Sequence, residues 1–171
     1  LVLVDRSDDI VDFPCVRMDQ EKAVYDATNH LIELGHRKIA HLNYSEKTRP
    51  LLKEMRQRKQ GYLKALKKAG IPINNKYIQG GNLFKLGERP SQSYLDSLGY
   101  EPMNKLLLLP ERPTAVCLIS FYFVPGALRA ISDHGLSVPN DISLVCIDDE
   151  PMTRHISPPI TVIAQPLREI G

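Results

Sequence analysis

Short apolar runs rich in branched residues alternate along this chain with longer stretches whose apolar positions keep helical spacing. The runs fall at residues 1–4, 39–42, 77–79, 114–119, 142–147 and 160–164, and each has the length of a strand. Ahead of the second run, Asp19 can cap a helix that turns Ala23, Ala27, Leu31 and Leu34 inward until Gly35 stops it. Another helix begins near Arg49 or Leu51, carries Met55, Tyr62, Leu63 and Leu66 on its inner face, and ends at Gly70 and Pro72. Gly, Pro, Ser and Gln dominate residues 80–98, which predicts a long loop. Helical spacing resumes near Glu101, with Pro102 in a first turn and Met103, Leu106 and Leu107 inward. A helix over residues 123–134 has Pro125 in its first turn and Gly135 as its stop, and Pro166 can open one more. Strands alternating with helices predict βαβ units, hence an α/β fold with a mostly parallel sheet.

Composition narrows the class. A chain of 171 residues, 43% hydrophobic and 25% charged, is long enough for one domain with a substantial core. Its formal charge of +2, from 22 basic and 20 acidic residues, argues against an electrostatic nucleic-acid surface. The basic cluster at residues 53–68 contains one acid, Glu54, and reads as a solvated helix face or as a contact for an anion. Cys15, Cys117 and Cys146 are odd in number and far apart, which favours reduced thiols and a cytoplasmic home. No apolar run reaches the length of a membrane span. The start at Leu1 and the close on Gly171, inside what looks like a first helical turn, read as a piece of a longer polypeptide.

Candidate chemistry sits behind the run at 142–147. Asp148 and Asp149 emerge at its carboxyl end, where open α/β sheets grip ligands. Asp148 can accept from hydroxyls or amines, or cap the following loop; Asp149 reads better as the cap. His30, His36, His41, His134 and His155 show no metal-ligand spacing. No nucleophile elbow, phosphate loop or dinucleotide fingerprint occurs, so neither a metal, a cofactor nor an enzymatic activity is expected.

Several ordered segments resemble the lactose/galactose repressor family of transcription regulators. They are Leu31-Ile32-Glu33-Leu34-Gly35-His36-Arg37-Lys38-Ile39-Ala40, Arg58-Lys59-Gln60-Gly61-Tyr62-Leu63-Lys64-Ala65-Leu66, Pro113-Thr114-Ala115-Val116, the stretch from Gly135 to Val145, and Pro158-Pro159-Ile160-Thr161-Val162. The resemblance covers nearly the whole chain outside residues 80–95 and implies the effector-binding core of such a regulator. That core has a periplasmic-binding-protein-like fold, a three-layer αβα sandwich in two subdomains with a ligand between them. Residues 1–17 would then be a remnant of the amino-terminal subdomain and first crossover, 18–159 the carboxyl-terminal subdomain, and 160–171 the return crossover. The DNA-binding head would lie outside this chain, and a homodimer would form through the core. Operator DNA would be reached only through that head, and no membrane is involved.

The resemblance also implies ligand positions. Arg58, three residues before Gly61-Tyr62, falls on the family's arginine, whose planar guanidinium can give paired hydrogen bonds. Asp148 falls on its acid, Tyr94 on its stacking aromatic five residues before Gly99-Tyr100, and Asp5 on a position near the cleft. Ser120 and Phe121 stand where sugar-responsive members carry Asn-Asp, and Phe121-Tyr122-Phe123 makes that mouth less polar. The implied effector is a sugar, a sugar derivative or a nucleoside-like molecule. A secreted solute-binding module of a transporter is the alternative for the same fold.

Overall fold

Two strands, β1 (Leu3–Val4) and β2 (Cys15–Val16), pair in parallel as a separate small sheet. The main sheet takes five strands, β3 (Ile39–Tyr44), β4 (Ile78–Gly81), β5 (Ala115–Leu118), β6 (Ser143–Ile147) and β7 (Thr161–Ile163), all parallel in the order β4-β3-β5-β6-β7. This computed structural model describes residues 3–4, 14–45, 53–81 and 91–165. The strand pair β1–β2 includes one element, 15–16, that the apolar pattern did not announce.

Strand pleating sends alternate side chains to opposite faces, and each face collects its own helices. Ile39, Cys117 and Val145 face α1 (Gln20–Glu33) and α2 (Lys53–Lys68), where Val24, Ala27, Leu31, Tyr62 and Leu66 complete one core. Ala40, Leu42, Val116, Leu118 and Cys146 face α3 (Gln92–Leu107) and α4 (Val124–Asp133), where Met103, Leu106, Phe123, Ala127 and Ile131 complete the other. The result is the expected α/β three-layer sandwich. Asp19 caps α1 as expected, its side chain accepting from the Lys22 N–H at 2.9 Å. Leu34 closes α1 from outside and is 63% exposed rather than inward.

The region expected as a long loop is shorter than residues 80–98. β4 runs on to Gly81, and α3 already begins at Gln92, so Pro102 lies inside the helix instead of in its first turn. Leu98, Pro102 and Met103 are all buried, and packing on the sheet outweighs the backbone hydrogen bond that Pro102 cannot donate. Residues 82–90 and the possible helix after Pro166 lie outside the described residues.

Two glycines set the helix spacing. A side chain at Gly61 would run into the Glu21 carbonyl, and one at Gly99 into the Phe123 carbonyl. Each therefore lets two backbones touch, α2 on α1 and α3 on the start of α4.

Candidate functional site

The strand order reverses direction between β3 and β5, because the connection through α2 leaves β3 over one face and α3 returns to β5 over the other. Such a reversal opens a crevice at the carboxyl ends of the strands. Arg58 lies across it. From the second turn of the described α2, its Nη1 donates to the Ile119 carbonyl at 2.6 Å, just past β5, while its Nε donates to Gln20 Oε1 at 2.7 Å. The Ile119 N–H in turn donates to the Leu42 carbonyl of β3 at 3.2 Å. A guanidinium has five N–H donors, so these two contacts fix its plane, and among the described residues no partner engages its Nη2 edge.

Asp148 follows β6 on the neighbouring strand. Leu118 pairs with Cys146, so Ser120 and Asp148 each stand two residues beyond that pair, side by side at the rim. Asp148 has a φ of 82°, a left-handed backbone in a residue other than glycine. Its N–H continues the ladder by donating to the Ile163 carbonyl at 3.1 Å, and its Oδ1 accepts from Gln165 Nε2 at 2.7 Å. Burial pushes the Cys146 thiol far up, with smaller contributions in the same direction from Cys117 and Asp148 and an opposing one from Arg58.

The remaining expected positions are placed unevenly. Ser120 is buried with an extended backbone and precedes a 3₁₀ turn of Phe121–Phe123. Phe121 is half-buried against the α3–α4 core, Tyr122 points out, and Phe123 is fully buried with its ring 5.0 Å from that of Tyr44. One of three aromatics is thus core, one rim and one surface. Tyr94 belongs to the first turn of α3 rather than to an irregular loop. Asp5 lies outside the described residues. Asp149 does not take the expected cap position, which falls to Glu150 without a side-chain bond; it accepts instead from the Thr153 hydroxyl and from Arg154 Nη2 at 2.8 Å, and the Arg154 bond holds its carboxyl below the usual range.

Residues that the sequence did not single out complete the rim. Gln20 and Gln165 brace the two charged side chains, and no local signal marks either glutamine, because each acts on a residue at least 17 positions away. His41 is fully buried with neither ring nitrogen hydrogen-bonded, stacked on Tyr62 at 4.9 Å, and desolvation keeps it neutral with a pKa of about 3. Two cavities open nearby. One of about 670 Å³ lies over the start of α1 and includes Gln20 and Gln57. Another of about 390 Å³ lies at the ends of β3 and β4 and includes Asn43, Lys59 and Gly80. Arg58 and Asp148 line neither. Among the described residues no group of His, Cys, Asp and Glu could hold a metal ion, and no helix is long and apolar enough to cross a membrane.

Residues 28–171 match the family described as periplasmic binding protein-like domain. The HTH-type transcriptional repressor CytR of Escherichia coli strain K12 is 36% identical over 162 residues, 94% of this chain and 43% of that protein. The HTH-type transcriptional repressor PurR of Actinobacillus pleuropneumoniae serotype 3 is 36% identical over 168 residues, 98% of this chain and 44% of that protein. Among solved structures, a regulatory protein of LacI family from Chloroflexus aggregans superposes with a TM-score of 0.80 at 31% identity, over 99% of this chain and 56% of that one. The chain thus spans less than half the length of these two curated relatives.

Proposed function

Because the chain belongs to the periplasmic binding protein-like domain family, in the form carried by lactose/galactose-type repressors, we propose that it is the effector-sensing part of a DNA-binding transcription regulator. A small molecule binds in a hinged cleft of which the carboxyl rim of the main sheet is one wall. Arg58 offers its free guanidinium edge to neighbouring ligand oxygens, Asp148 accepts from hydroxyls or amines, and Ser120 adds a hydroxyl. Phe121 gives flat apolar area, and Tyr94 and Asp5, matched to the family's ligand positions, are included in the proposed contact set. A sugar, a sugar derivative or a nucleoside-like molecule fits that mixture of paired polar groups and rings.

The observation that carries this reading is that Arg58, on α2, donates to the Ile119 carbonyl just past β5, one strand from the end of β6 that Asp148 follows, beside the reversal between β3 and β5. In this reading residues 1–17 are a remnant of the amino-terminal subdomain with the first crossover, 18–159 the carboxyl-terminal subdomain and 160–171 the return crossover. The ligand prefers one arrangement of the two, and a DNA-binding domain reads the shift in population. Coupling in such switches is about 1–3 kcal/mol, within reach of a few charge-assisted contacts. The regulator works in the cytoplasm as a homodimer and meets operator DNA through that other domain. Similarity to repressors favours this reading over a secreted solute-binding module.

The test is calorimetry with a panel of sugars, nucleosides and sugar phosphates. Arg58→Ala and Asp148→Ala should each weaken the best ligand by about tenfold or more. Unchanged affinity in both variants would remove the site from this rim.

A further inference from the structure

Resting on the effector-site reading, we propose that Gln20 is a positioning residue: it sets the pose of the Arg58 guanidinium and passes on to it the position of the chain crossing between β2 and α1. Gln20 is the first residue of α1 and only 4% exposed, so its Oε1 meets the Arg58 Nε at 2.7 Å with little water to compete. With the Ile119 carbonyl holding Nη1 at 2.6 Å, the planar group has two anchors, and its Nη2 edge has one direction. Without Gln20 the guanidinium keeps one anchor and can swing about it.

The crossing reaches Gln20 within a few bonds. Arg17, Met18 and Asp19 alone link β2, in the small sheet, to α1, against the main sheet. Arg17 Nη1 lies 3.9 Å from Glu54 Oε1, and Glu54 stands one helical turn before Arg58 on α2. One turn after Arg58, Gly61 seats α2 on the carbonyl of Glu21, the residue next to Gln20. The start of α1 and this face of α2 are thus joined at three successive turns. Gln20 is the side chain hydrogen-bonded to Arg58 that stands four residues after β2 in the chain. The edge offered to a ligand therefore depends on where the crossing stands, and ligand binding in turn favours the crossing position that aims it.

The experiment uses the full chain with three probes, D-ribose, cytidine and ribose 5-phosphate, and follows the Arg58 Nε–H by NMR. In wild type this proton should exchange slowly with solvent. In Gln20→Ala it should exchange fast, and the tightest probe should bind about tenfold more weakly. Gln20→Glu, which keeps an acceptor oxygen in place, should restore both while the two variants unfold at similar denaturant concentrations. Unchanged affinity in Gln20→Ala, where Arg58→Ala abolishes binding, overturns the positioning role and leaves the effector site standing. Binding that neither variant disturbs overturns both. If no probe binds, the resonance decides for Gln20: fast exchange already in wild type overturns its role, and slow exchange lost in Gln20→Ala and regained in Gln20→Glu supports it.

Discussion

Beneath α1 and α2 the sheet turns His41 and Cys117 inward to meet the Tyr62 ring and Thr28, whereas beneath α3 and α4 it meets Met103, Leu106, Phe123 and Ile131. Both layers are closed by a Gly-aromatic pair, Gly61-Tyr62 in α2 and Gly99-Tyr100 in α3, with the glycine against a carbonyl of the neighbouring element. The backbone device is shared and the side chains differ. In the first layer Tyr62 is buried and donates to the Ile39 carbonyl at 2.8 Å; in the second, Tyr100 reaches outward to Asp133. The polar layer is also the one that supplies Gln20 and projects Arg58 to the rim. The apolar layer supplies the half-buried ring of Phe121 at the rim and keeps that of Phe123 in its core. Charge and flat apolar surface thus arrive at the same rim from opposite faces of one sheet.

That contrast can be broken at graded cost. Phe123→Ala empties the apolar layer where α3, α4 and β4 converge and should cost about 3–5 kcal/mol, read from urea midpoints. His41 makes the polar layer sensitive to acid. Its folded pKa of about 3 lies below the ordinary 6.5, so the unfolded chain takes up the proton first, and stability is complete above pH 6.5 and falls as the pH drops toward 3. Between pH 6.5 and 4.5 the wild type should lose about 2–3 kcal/mol more than His41→Phe, a difference that separates this group from the carboxylates titrating alongside it. Tyr62→Phe deletes the bond to Ile39 and should cost about 1 kcal/mol, a loss with no counterpart when Tyr100 is changed to Phe. Arg154→Ala, at a side chain 75% exposed, should leave the urea midpoint where it was.

Much of the fold could be read from local pattern. Gly35, Gly70 and Gly135 all adopt left-handed backbones at the helix ends where their spacing placed stops. The run at 142–147 is a strand with Asp148 at its carboxyl end, and Arg58 lies on a helix that aims it at the neighbouring strand end. What escaped the pattern depends on contacts between distant residues. Pro102 suggested a helix start because its missing donor is harmless there; only the burial of Leu98 and Met103 on the sheet shows why the helix runs through it. The bracing of Arg58 by Gln20, across 38 positions, and of Asp148 by Gln165 has no local periodicity to betray it.

At Asp148 the chain folds back in a way that suits an achiral residue, yet an acidic side chain occupies the place. Exchanging it for glycine would relax the main chain while silencing the carboxylate. On the proposed effector-site reading, gains in thermal endurance at this one position would come with deafness to the signal, durability being traded there for the capacity to listen.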